Sequence, residues 1–82
     1  MATFSKEITL TSGTADVPAI TGYTPAQTDK IVVTPAGINE TSYAAVNRNV
    51  NMWAQWDSSA NKWVIYASST SYAEKAHVII VT

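Results

Sequence analysis

Few side chains in this chain could do chemistry, and they are scattered. His77 is its one histidine. A hydrolytic triad would set it beside a serine nucleophile and a carboxylate, yet no Gly-x-Ser-x-Gly or related nucleophile turn occurs. Its position at the head of the apolar run HVIIV points to a structural or subunit-contact role. The six carboxylates, Glu7, Asp16, Asp29, Glu40, Asp57 and Glu74, include no closely spaced pair of the kind that glycoside hydrolysis uses. One histidine without any cysteine makes no metal-ligand cluster. Three separated glycines build no loop to cradle phosphate. The expectation is therefore a protein with no catalytic, cofactor or metal site. Asn39-Glu40-Thr41 fits the N-glycosylation pattern, but MATFSKEITL lacks the basic-then-apolar order of a secretory signal, so that match reads as accidental.

The aromatic residues form a better-defined constellation. Residues 50–69, VNMWAQWDSSANKWVIYASS, read as a β-hairpin around a four-residue loop, Ser58-Ser59-Ala60-Asn61. This register sets Asp57 opposite Lys62 as a closing ion pair, Trp56 opposite Trp63, Ala54 opposite Ile65 and Met52 opposite Ala67. The other face then carries Gln55 opposite Val64, Trp53 opposite Tyr66 and Asn51 opposite Ser68. A slip of one residue would put Trp56 against Lys62 and orphan Asp57. On the face away from the core, Trp53 and Tyr66 have three readings. They are covered by a second sheet, they contact a subunit or partner, or they stack on sugar rings.

Composition bounds the setting. Eighty-two residues make one domain. A chain this short buries only about 60–65% of its unfolded surface, and it has no disulfides to reinforce it. Association with other chains is the cheapest remaining reinforcement. Charged residues are 13% of the chain, against about 25% in an ordinary soluble protein, while 46% is hydrophobic. Such a surface suits packing against other proteins. The net charge is −1 and the cations are dispersed, which argues against nucleic acid as a partner. No apolar run approaches the ~20 residues of a membrane span.

Thr3 to Thr11 alternates as a strand, with Phe4, Lys6, Ile8 and Leu10 on one face. Ser12-Gly13-Thr14 signals a turn. Residues 15–21 suit a short strand, held to an edge or an extended arm by Pro18. GYTPAQT, 22–28, reads as a loop. Ile31-Val32-Val33-Thr34 reads as a buried-type strand stopped by Pro35-Ala36-Gly37. Thr41 to Arg48 suits a strand, Ser69 to Glu74 a polar loop, and Ala76 to Thr82 a last strand that is apolar on both faces, central or buried at a subunit contact. About six short strands and no helix of normal length indicate an all-β fold. It would be a small antiparallel β-sandwich or barrel, with residues 29–82 as its body and 1–28 as an N-terminal strand and arm.

DKIVVTPAG, then SYAAV, the Trp-rich hairpin WAQWDSSANKWVIYAS and the closing HVIIVT together resemble small β-sandwich proteins of tailed-bacteriophage virions. The likeness covers residues 29–82 and is closest to the capsid decoration, or cement, type. It implies a non-enzymatic virion component, made in the host cytoplasm and seated as a homotrimer on the phage major capsid protein. Candidate contact residues are then Trp53, Tyr66 and Val64 on the hairpin, with Pro18, Ile20 and Tyr23 in the arm. The alternative is a tail-fibre tip or lectin-like module binding a receptor or carbohydrate through Trp53, Tyr66 and Tyr43.

Overall fold

A computed structural model of the chain describes residues 2–38, 51–68 and 73–82. Six strands lie within them: β1 (Thr3–Thr9), β2 (Thr14–Asp16), β3 (Lys30–Ile38), β4 (Met52–Asp57), β5 (Lys62–Ala67) and β6 (Ala73–Val81). They form two three-stranded antiparallel sheets, ordered β1-β6-β3 and β2-β5-β4. The fold is thus a small all-β sandwich. The strand expected over Thr41 to Arg48, Tyr43 and the Asn39-Glu40-Thr41 sequence lie outside the described residues.

Period-2 alternation decides what goes inside. Phe4 and Ile8 of β1, Ala76, Val78 and Ile80 of β6, and Ile31 and Val33 of β3 line one inner face. Met52, Ala54, Ile65, Ala67 and Ala15 line the other. Ile65, Ala76, Val78 and Ile80 are fully buried. Each large aliphatic buried this completely contributes about 1.5–3 kcal/mol of transfer free energy, set against the entropy of ordering a short chain. Lys6 sits in the inner row of β1 yet stays exposed. An inward-row charge on an edge strand discourages that edge from pairing with another chain.

The chain changes sheets at Ser12-Gly13. Thr11 and Thr14 exchange backbone hydrogen bonds of 3.0 and 3.2 Å across these two residues. Positive φ at both, 54° and 79°, makes the turn type I′, the form whose twist matches flanking strands. The Gly13 carbonyl also accepts the Ala67 amide at 2.8 Å, fixing the corner to the end of β5. Pairing of β2 extends one bond further, from Val17 N to the Trp63 carbonyl, and ends at Pro18, which has no N–H. Val17 just before it, and Ile20 and Tyr23 beyond it, pack against the core. Residues 17–23 thus contribute side chains to the core.

Several boundaries differ from the sequence reading: β1 ends at Thr9 rather than Thr11, and the short strand expected over 15–21 is Thr14–Asp16. Strand β3 does not stop at Pro35 but runs to Ile38, with register shifts around Gly37. Among the described residues β3 pairs with β6 alone and so lies at the edge of its sheet, where a missing N–H and a bulge are both tolerated. In turn β6 starts at Ala73, because the prolonged β3 gives residues 73–75 a partner.

Candidate functional site

The hairpin forms in the expected register. Asp57 pairs with Lys62, Trp56 with Trp63, Gln55 with Val64, Ala54 with Ile65, Trp53 with Tyr66 and Met52 with Ala67. Asn51 and Ser68 extend it, the Ser68 amide donating to the Asn51 carbonyl at 2.8 Å. The side-chain ion pair expected at the turn is absent, however. Asp57 Oδ1 instead accepts the Ser59 and Ala60 amides at 3.0 and 3.3 Å, the usual way an aspartate stabilises the turn that follows it. Lys62 turns the other way across the sheet and pairs with Asp16 of β2, Nζ to Oδ2 at 2.5 Å. That hydrogen bond holds the ammonium above the ordinary lysine pKa.

The outer face of sheet β2-β5-β4 is thereby laid out in rows. Asn51 lies next to Ser68, then come Trp53, Tyr66 and Thr14, then Gln55, Val64 and Asp16, and last Asp57 beside Lys62. The Trp53 and Tyr66 rings are offset-stacked, with centroids 6.0 Å apart and planes 20° from parallel. Among the described residues no second sheet covers them, and Trp53 is 42% exposed. Val64 is half-buried between the aromatic row and the ion pair. These three candidates share one surface.

The other three do not. Pro18 is exposed, whereas Ile20 and Tyr23 contact the core. Tyr23 packs on Phe4 with ring centroids 5.1 Å apart, and its hydroxyl donates to Asp29 Oδ2 at 2.5 Å. The same carboxylate oxygen accepts the Ala26 amide at 2.9 Å, and the Ala26 carbonyl accepts Trp63 Nε1 at 3.2 Å. Trp63 meets Trp56 edge-on at 5.3 Å. Tyr23 is thus a structural latch between the loop and the hairpin.

Burial, followed by the hydrogen bond to Asp29 and its negative charge, raises the Tyr23 pKa above the ordinary phenol value. The folded state therefore holds this proton more tightly than the unfolded chain. The associated stability is fully present below about pH 10 and declines as pH rises from there. The difference in unfolding free energy between the parent and Tyr23→Phe should be constant from pH 7 to 9 and shrink above pH 10. Urea titrations at each pH read it directly; a difference flat to pH 11 would show the hydroxyl unlinked to folding.

The opposite surface is legible in the sequence only through the apolarity of Ala76 to Thr82 on both faces, and the candidate contact residues include none of its side chains. On the outer face of sheet β1-β6-β3, Ser5, Ile79 and Val32 form one cross-strand row. Val32 is 56% exposed and Ile79 41%. Val32, expected as buried, is not, because each sheet of a two-layer sandwich is covered on one face only, and Val32 points to the outer one, as does Ile79 of the central strand. Thr3, Val81 and Lys30 form the row on one side, Glu7, His77 and Thr34 the row on the other. Glu7 approaches Lys75 at 3.8 Å. Glu7, His77 and Thr34 have the residue types of an acid–base relay, but they lie on an open face, and no hydrogen bond joins them among the described residues. Two features could have picked out its central residues: the apolar outer row of HVIIVT, and an apolar run at 31–33 too long for one inner face.

Comparison with protein-family models, with curated proteins and with solved structures finds no match to the chain.

Proposed function

We propose that this chain is a non-enzymatic structural protein of a tailed-phage virion, docking as a homotrimer on the outside of the capsid and cementing neighbouring major capsid subunits. The observation that carries the reading is the side-by-side exposure of Val32 and Ile79 at the centre of one sheet face. Aliphatic side chains in such a position gain most when a partner removes them from water. The ring around them, Lys30, Glu7, Lys75 and His77, carries both signs of charge, as the rim of a protein–protein contact does. The low charge and small size of the chain support the same reading, as does the resemblance of its sequence over residues 29–82 to decoration proteins. Weak contacts repeated over a lattice add through multivalency, so each copy need bury little area.

The test is co-sedimentation of the purified protein with phage capsids before and after expansion, alongside its mass in solution. Binding to expanded capsids alone, by a species of three chains, is the expected result. Equal binding to both forms, or to neither, would overturn the proposal.

A further inference from the structure

The aromatic row on the other outer face has a distinct chemistry. We infer that Trp53, Tyr66, Asn51 and Gln55 form a binding platform for a neutral pyranose sugar whose hydroxyls are equatorial. This goes beyond the capsid role and does not rest on it, since the two surfaces belong to different sheets.

Several observations converge. Trp53 is a large exposed aromatic in a β-sandwich whose other two tryptophans, Trp56 and Trp63, are half-buried on the inner side of the hairpin. Its ring is braced by the stacked Tyr66, so it is presented in one orientation and loses little freedom when a ligand arrives. A pyranose with equatorial hydroxyls has flat C–H faces, which stack on indole, and a rim of hydroxyls, which need planar polar partners. Asn51 and Gln55 supply such partners. They lie two residues before and after Trp53, about 7 Å along the strand, on the same face, and both are exposed. Thr14 closes the row beyond Tyr66.

Charge selects among sugars. Among the described residues the cation nearest this row, Lys62, is engaged by Asp16 rather than free to receive a sugar carboxylate or sulfate. Neutral β-1,4-linked chains of glucose or N-acetylglucosamine type fit this chemistry. An axial hydroxyl would interrupt the stacking face.

The experiment is an NMR titration of the indole N–H signals with cellotetraose and chitotetraose as probes, and with galactobiose and sialyllactose as comparators. The Trp53 signal is assigned from its disappearance in Trp53→Ala. The expected result is a saturable shift of Trp53 at millimolar cellotetraose or chitotetraose, with the hydrogen-bonded Trp63 signal unmoved. Gln55→Ala should weaken binding about tenfold while the thermal midpoint stays within a few degrees, and Trp53→Phe should retain part of the affinity. Equal response to sialyllactose, or no Trp53 shift with any sugar, would overturn the inference. So would a Trp53 signal that moves with protein concentration rather than sugar, which would assign the face to a second copy of the chain. None of these outcomes alters the capsid test, which reads the opposite sheet.

Discussion

Ile65→Ala is expected to lower stability by about 2–4 kcal/mol and the thermal midpoint by roughly 10–25 °C. Ile65 is fully buried at the middle of β5, the central strand of its sheet. Its cross-strand neighbours on both sides are alanines, Ala54 and Ala15. This one side chain therefore fills most of its layer of the core against the other sheet, where Val78 and Ile80 are equally buried. Alanine there leaves a cavity that neither neighbour can close, so the cavity cost adds to the lost transfer energy. A domain of this length has only about 4–12 kcal/mol in total. Urea unfolding should show a lower midpoint at unchanged slope, the signature of stability lost without a change in the surface exposed. Val64→Ala, one residue away and half-buried on the outer face, should cost under about 1 kcal/mol. Equal losses at the two positions would mean that the two sheets do not close over Ile65.

The hairpin was legible to the residue because its information is local. A loop of small polar residues sets the arms, and the Trp56–Trp63 and Asp57–Lys62 positions penalise a slip. The short β2 was legible in place but not in extent: the sequence suits a strand over 15–21, whereas the strand is Thr14–Asp16 and its pairing stops before Pro18, which has no N–H to give. Partner choice over long separations was not. Lys62 finds Asp16 only because β2 docks on the far side of β5, and no spacing in the sequence encodes that contact. Nor could Pro35 reveal that β3 continues past it, since this depends on β3 having, among the described residues, a partner strand on one side only, so that the missing amide does no harm. The exposure of Val32 has a different cause. A continuous apolar run looks alike whether one face or both will be covered, and only the count of layers tells them apart. The candidate site was half legible on these terms. Trp53 and Tyr66 were found because they are conspicuous aromatics in a local register, whereas Val32 and Ile79 come together from strands far apart in the chain.

The second large effect follows from that long-range pair. Val32→Asp with Ile79→Thr is expected to weaken capsid binding by at least about a hundredfold while leaving the fold intact. Both side chains are already wet in the free chain, so the substitutions remove little from the core, and threonine keeps the strand preference at position 79. In the complex the balance is reversed. The contact loses its aliphatic centre, and docking would have to bury a carboxylate without a partner, which costs several kcal/mol. A trimer would multiply the loss, because each weakened site also reduces the effective concentration of the others. Only one carboxylate is introduced, since two facing each other across the strands would repel within the monomer and confuse folding with binding. Sedimentation with expanded capsids measures the effect, and a thermal midpoint within a few degrees of the parent certifies the fold. Trp53→Ala, on the opposite sheet, should leave capsid binding within about threefold. If that variant were the one that failed to bind, and the Val32/Ile79 variant bound normally, the docking surface would be the aromatic face, and Val32 and Ile79 would be no more than solvent-exposed residues of an edge strand and its neighbour.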